Sequence, residues 1–159
     1  MRIGLHIADS PQKNVIQREW NVSFAPIHHS AVLRIVQTSQ MVMPNQPLLD
    51  GAINPPNPRD KGQRTLYIFT SPSINYCEMN SYCKVVKFRG VRKRAMIACQ
   101  LRQDPRQMVV QRETMLTHAE IGSGVVIDRR FHPDMIEWKT SNPKSTMVYG
   151  LLIKLTPES

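Results

Sequence analysis

No run of this chain approaches the roughly 18 consecutive apolar residues of a membrane-spanning helix. The opening MRIGLHIADS has neither a long apolar core with a small-residue cleavage site nor the Arg- and Ser-rich amphipathic look of a transit peptide. Both absences predict a soluble protein inside the cell, in cytoplasm, nucleus or virion. On that reading the Asn21-Val22-Ser23 sequon has no role. Cysteine is scarce: Cys77, Cys83 and Cys99 are too few, and odd in number, for a disulfide framework. Cys77-x5-Cys83 also lacks the close C-x2–4-C spacing of a zinc knuckle, and no His pair completes it. Aromatic residues make up only 6 % of the chain, which gives little support to stacking of bases along it.

Reaction motifs are missing as well. Ile121-Gly122-Ser123-Gly124-Val125 is neither a nucleophile elbow nor a P-loop, and a tight turn is the simpler use of those glycines. His118-Ala119-Glu120 is half of the zinc-deaminase signature, without its P-C-x-x-C partner. The adjacent His28 and His29 would point to opposite faces of an extended segment, which works against joint ligation. No cofactor, metal site or catalytic couple is therefore expected, and the chain reads as a non-enzyme.

What the chain has is positive charge in one place. The formal net charge is +9, and the 29-residue stretch Lys84–Arg112 holds nine of the 21 Lys and Arg against one of the 12 acids, Asp104. Charge so concentrated calls for a polyanionic partner. The bland alternative is a solvated edge hairpin whose cations discourage edge-to-edge pairing.

Taken in order, Ile3, Leu5 and Ile7 alternate with polar neighbours as in a half-buried strand. Trp20, Val22 and Phe24 then share one face of a second strand, with Glu19, Asn21 and Ser23 on the other. Ala31–Val36 (AVLRIV) reads as a central strand. Residues 38–64 hold five prolines and no periodicity, an excursion that is either packed or mobile, with Leu48, Leu49 and Ile53 able to pin it. Thr65–Phe69 resumes a strand. Tyr82–Arg89 and Arg94–Leu101 flank a Gly90-Val91-Arg92-Lys93 turn as a hairpin, with Ala95, Ile97, Cys99 and Leu101 on the core face and Lys87 and Arg89 outward. Short strands are expected at 108–111, 125–127 and 135–139, with turns at Asp104-Pro105 and His132-Pro133, and a two-turn helix at Glu113–Ile121. Thr146–Leu155 is apolar on both faces, a buried strand in which Gly150 marks a bulge or a close approach.

About eight to ten short strands at this spacing, with at most one or two short helices, predict an all-β fold. The expected form is one antiparallel, jelly-roll-like β-sandwich domain over residues 1–159, with 38–64 as its proline-rich excursion. The expected function is structural: binding of RNA or DNA backbone through Lys84, Lys87, Arg89, Arg92, Lys93, Arg94, Arg102 and Arg106, with self-association or entry into a larger assembly. A viral coat or matrix-type protein, or a ribonucleoprotein subunit, has this profile. The second reading is a peripheral membrane or acidic-partner adaptor using the same basic face. A third is a small enzyme with a site assembled from His118, Glu120 and His132.

Overall fold

The computed structural model describes residues 1–4, 12–56, 64–79, 83, 85–87, 93–112, 114 and 126–157, with backbone alone at 93 and 94. Strand dominates, as the alternating pattern requires. Eight strands are described: β1 (Arg2–Gly4), β2 (Asn21–Pro26), β3 (Ile68–Thr70), β4 (Val86–Lys87), β5 (Lys93–Gln103), β6 (Val109–Val110), β7 (Trp138–Thr140) and β8 (Thr146–Pro157). They form two antiparallel sheets. The larger runs β1-β8-β5-β2, with β4 also pairing β5, and the smaller runs β3-β7-β6.

β5 organises the larger sheet. β8 pairs with it along its whole length on one side, while β4 and then β2 pair with it on the other. Ala95, Ile97, Cys99 and Leu101 are all buried, as expected, and the last three enter the main core with Ile35, Met41, Val42, Leu48, Ile68, Val148 and Leu151. Both faces of β5 are covered over residues 95–99, since Met96 and Ala98, expected to point away from the core, are buried as well. Two backbone hydrogen bonds between Phe24 and Ser71, of 2.7 and 2.8 Å, tie β2 to the end of β3 and so join the two sheets.

Among the described residues there are three short α-helices, where at most two were expected: α1 (Lys13–Glu19), α2 (Val32–Thr38) and α3 (Ile74–Cys77). The AVLRIV run is therefore not a strand. It enters through a 3-10 turn at His29–Ala31 and continues as α2, which buries Ala31 and Ile35 and leaves Leu33 66 % exposed. A short apolar run has no periodicity of its own to separate the two states, and here the i, i+4 spacing of Ala31 and Ile35 is what fits the core. Ser39 closes the helix in the left-handed region, its N–H on Ile35 O and its carbonyl on Val148 N–H.

β2 also presents the opposite face from the one expected. Ser23 and Ala25 are buried and Val22 is exposed, because Ser23 donates to Gln103 inside the core and Ala25 packs in the main cluster. The proline-rich excursion is packed over its described part: Met41, Val42 and Leu48 are buried, Pro47 bridges Ile53, and Asn54 donates to the Val42 and Met43 carbonyls. Leu49 and Ile53 stay exposed. Val126 and Ile127 are not in a strand, and Val126 is exposed. The helix expected at 113–121 lies outside the described residues.

Candidate functional site

The cationic ribbon is present as paired backbone. β4 and β5 run antiparallel with Val86 opposite Ala95 and Lys87 opposite Arg94, and Lys87 is exposed. Of the sequence-predicted contact residues, Lys84, Arg89 and Arg92 lie outside the described residues. Lys93 and Arg94 are placed by their ladder positions, opposite Pro157 and Thr156 of β8.

Arg102 and Arg106 diverge. Asp104 caps the 3-10 turn Pro105–Gln107 and accepts from the Arg106 N–H at 3.0 Å and from its Nε at 3.1 Å. The Arg106 side chain is thus engaged by the protein's own carboxylate, although it is 75 % exposed. Arg102, further along β5, donates to the Trp20 carbonyl at 3.2 Å and stands over the ring of Tyr149, 5.7 Å from its centroid. Tyr149 belongs to β8, and β1 on the far side of β8 carries Arg2. Burial raises the Tyr149 phenol pKa, and the charges of Arg102 and Arg2 pull it back. Neither arginine has a carboxylate partner among the described residues, whereas Lys154 is paired with Glu78 at 2.5 Å.

Sequence reasoning missed Arg2 and Tyr149. The signal available was only an arginine and a tyrosine in two strands at opposite ends of the chain, and nothing local joins them.

A second feature lies under the proline-rich excursion. A cleft of about 230 Å³ opens between that segment and β2–β3, lined by Pro26, His28, Asn54, Pro55, Tyr67 and Phe69 among others. The Tyr67 ring is held on two sides, by Phe69 edge-on at 6.4 Å and by Lys139 Nζ at 4.4 Å from its centroid. Such a ring is a fixed platform at a mostly apolar wall, with His28 and Asn54 as polar neighbours.

Glu137 is fully buried and accepts from the Tyr76 hydroxyl. Asp128 accepts from the Arg130 side chain and N–H and from Ser73 Oγ at 2.8 Å, which hold its carboxyl well below the usual carboxylate range. Ser23 and Thr70 both donate to Gln103 Oε1, at 3.0 and 2.7 Å. The three cysteines are free and buried, and burial pushes each thiol up. His132 caps the turn at Pro133–Met135 and is exposed, while His118 and Glu120 lie outside the described residues. Among the described residues no group of three or more His, Cys, Asp or Glu could hold a metal ion, and no helix is long and apolar enough to cross a membrane.

No protein-family model, curated protein or solved structure matches this chain.

Proposed function

We propose that this chain is a non-enzymatic nucleic-acid-backbone-binding protein that works within a larger assembly, in the manner of a coat, matrix-type or ribonucleoprotein subunit. The two sheets, on this reading, pack as an open β-sandwich that presents the ribbon. The observation that carries it is the backbone pairing of that ribbon: β4 runs antiparallel to β5 with Lys87 at the ladder position of Arg94, so the cationic residues of both arms are gathered on one two-stranded unit. Charge concentrated in this way favours a polyanionic partner. Arg2 and Arg102, which have no carboxylate partner among the described residues, extend the same chemistry along the sheet. Arg106 leaves the contact set, since Asp104 already occupies it.

The test is a titration of fluorescent single- and double-stranded oligonucleotides, and of anionic vesicles, each over a salt series. Neutralising four to six phosphates gives a log–log salt slope of about −3 to −5. Tighter binding to vesicles than to nucleic acid transfers the function to a peripheral membrane or acidic-partner module. Light scattering with and without oligonucleotide reads the assembly.

The cleft supports a second reading, carried by the clamped Tyr67 ring. An apolar pocket with few polar groups is the usual form of a small-molecule site, and this one is fragment-sized. Titration with indole and with benzoate, followed by NMR, tests it. Binding that survives Tyr67→Ala removes the ring from that role.

A further inference from the structure

Tyr149 occupies the one irregular point in the β5–β8 ladder. The register runs Gln100 opposite Gly150 and then Leu101 opposite Val148, which leaves Tyr149 as the extra residue of a bulge. Bulges re-aim side chains, and here β8 lies between the two strands that carry arginines, β5 with Arg102 and β1 with Arg2. Arg102 is held in place by the Trp20 carbonyl, so it needs no ordering to meet a ligand. Arg2 is exposed at the sheet edge. Arg102 covers the half-buried Tyr149 ring, Arg2 lies on the far side of β8 at the position opposite Leu152, and neither has an acid partner among the described residues.

Resting on the backbone-binding reading above, we propose that this bulge is a one-nucleotide seat. A splayed base stacks against the Tyr149–Arg102 pair, and Arg2 with Arg102 takes the adjoining phosphate. The consequence is selectivity for single-stranded over duplex nucleic acid. In a duplex the bases are already stacked on each other and cannot reach a ring on the sheet, while a single strand offers a π-face with every nucleotide. Guanidinium and ring together suit this, because the cation also attracts the ring that it covers.

The experiment uses the full chain with two probes of matched charge, a fluorescent oligothymidylate and a duplex of half its length. Expected is tighter binding of the single strand, lost by about tenfold in Tyr149→Ala, with the duplex unaffected. Tyr149→Phe retains the ring and the affinity. Arg2→Gln, at an exposed position, avoids disturbing the half-buried ring and is expected to weaken single-strand binding severalfold and to flatten its salt slope by about one. A thermal melt accompanies each variant. Equal binding of the two probes, or equal loss of both in Tyr149→Ala, overturns the seat and leaves the backbone reading standing. Absence of binding to either probe at low salt overturns the backbone reading itself.

Discussion

Asp104 encloses Arg106: one carboxylate oxygen, Oδ1, accepts from both the backbone N–H and the guanidinium Nε of the residue two positions on. The same clip recurs at Asp128 and Arg130, where Oδ1 accepts from the N–H and from Nε, both at 3.0 Å. In each case the acid is nearly buried and the guanidinium mostly exposed. A local Asp-x-Arg clip thus withdraws a cation from the surface charge that composition alone would count.

Arg106→Ala is accordingly expected to leave polyanion affinity within about twofold of the parent, in contrast to the loss of roughly one phosphate contact expected for Lys87→Ala. Asp104→Asn releases the guanidinium, and is expected to raise affinity at low salt while lowering the melting temperature through loss of the charge-assisted cap. Fluorescence titration beside a thermal melt reads both. A tighter-binding parent than Asp104→Asn contradicts the account.

The two clips also set an acid limit. Hydrogen bonds from Arg106 and Arg130 hold Asp104 and Asp128 below the ordinary carboxylate pKa in the folded state. A depressed folded pKa contributes stability that is complete above the unfolded value, near 4, and is lost as pH falls below it toward the folded values. Urea midpoints measured from pH 6 down to pH 2 are expected to drop below about pH 4, and Asp104→Asn with Asp128→Asn together to flatten that drop. An unchanged slope in the double variant contradicts the assignment.

The state of residues 32–38 is testable by one pair of truncations. Were the run a strand, Leu33 and Ile35 would share a face. In α2 they do not, with Leu33 66 % exposed and Ile35 fully buried. Ile35→Ala is expected to cost about 2–5 kcal/mol and Leu33→Ala within about 0.5 kcal/mol, measured by urea denaturation. Equal costs would favour the strand.

Burial of all three thiols makes them slow. Cys77, Cys83 and Cys99 are each nearly inaccessible, and desolvation opposes the reactive thiolate at each. A disulfide dye at pH 8 is expected to label the native protein only at the rate of its opening and all three thiols at once in denaturant. Rapid labelling of the native chain would contradict the packing of α3 and β5.

Several elements were legible because their signals are local. Ala95, Ile97, Cys99 and Leu101 recur at the period of a pleated strand, so their inward facing was readable without a partner, whereas the burial of Met96 and Ala98 on the other face was not. Gly150 was readable as a close approach, and a methyl group there would stand 3.3 Å from Gln100 Oε1. The Asp104-Pro105 and His132-Pro133 turns follow from proline geometry and side-chain capping. The Ala31–Val36 run was not legible, since six mostly apolar residues satisfy strand and helix alike. The facing of β2 was misread because Ser23 counts as polar until Gln103 is present to accept its hydrogen bond in the core.

Taken by itself, the sequence determined a strand-dominated chain, the inward set Ala95, Ile97, Cys99 and Leu101 of β5, and a cationic stretch around its start. These are properties of residues adjacent along the chain, where periodicity and charge density are already visible. The tertiary structure alone decided which cations count and which ring they meet. Asp104 closes on Arg106, and the pairing of β8 with β5 brings Tyr149 under Arg102, with Arg2 on β1 at the far side of β8. Side-chain direction in a sheet depends on register with a neighbouring strand, and that neighbour can come from anywhere in the chain.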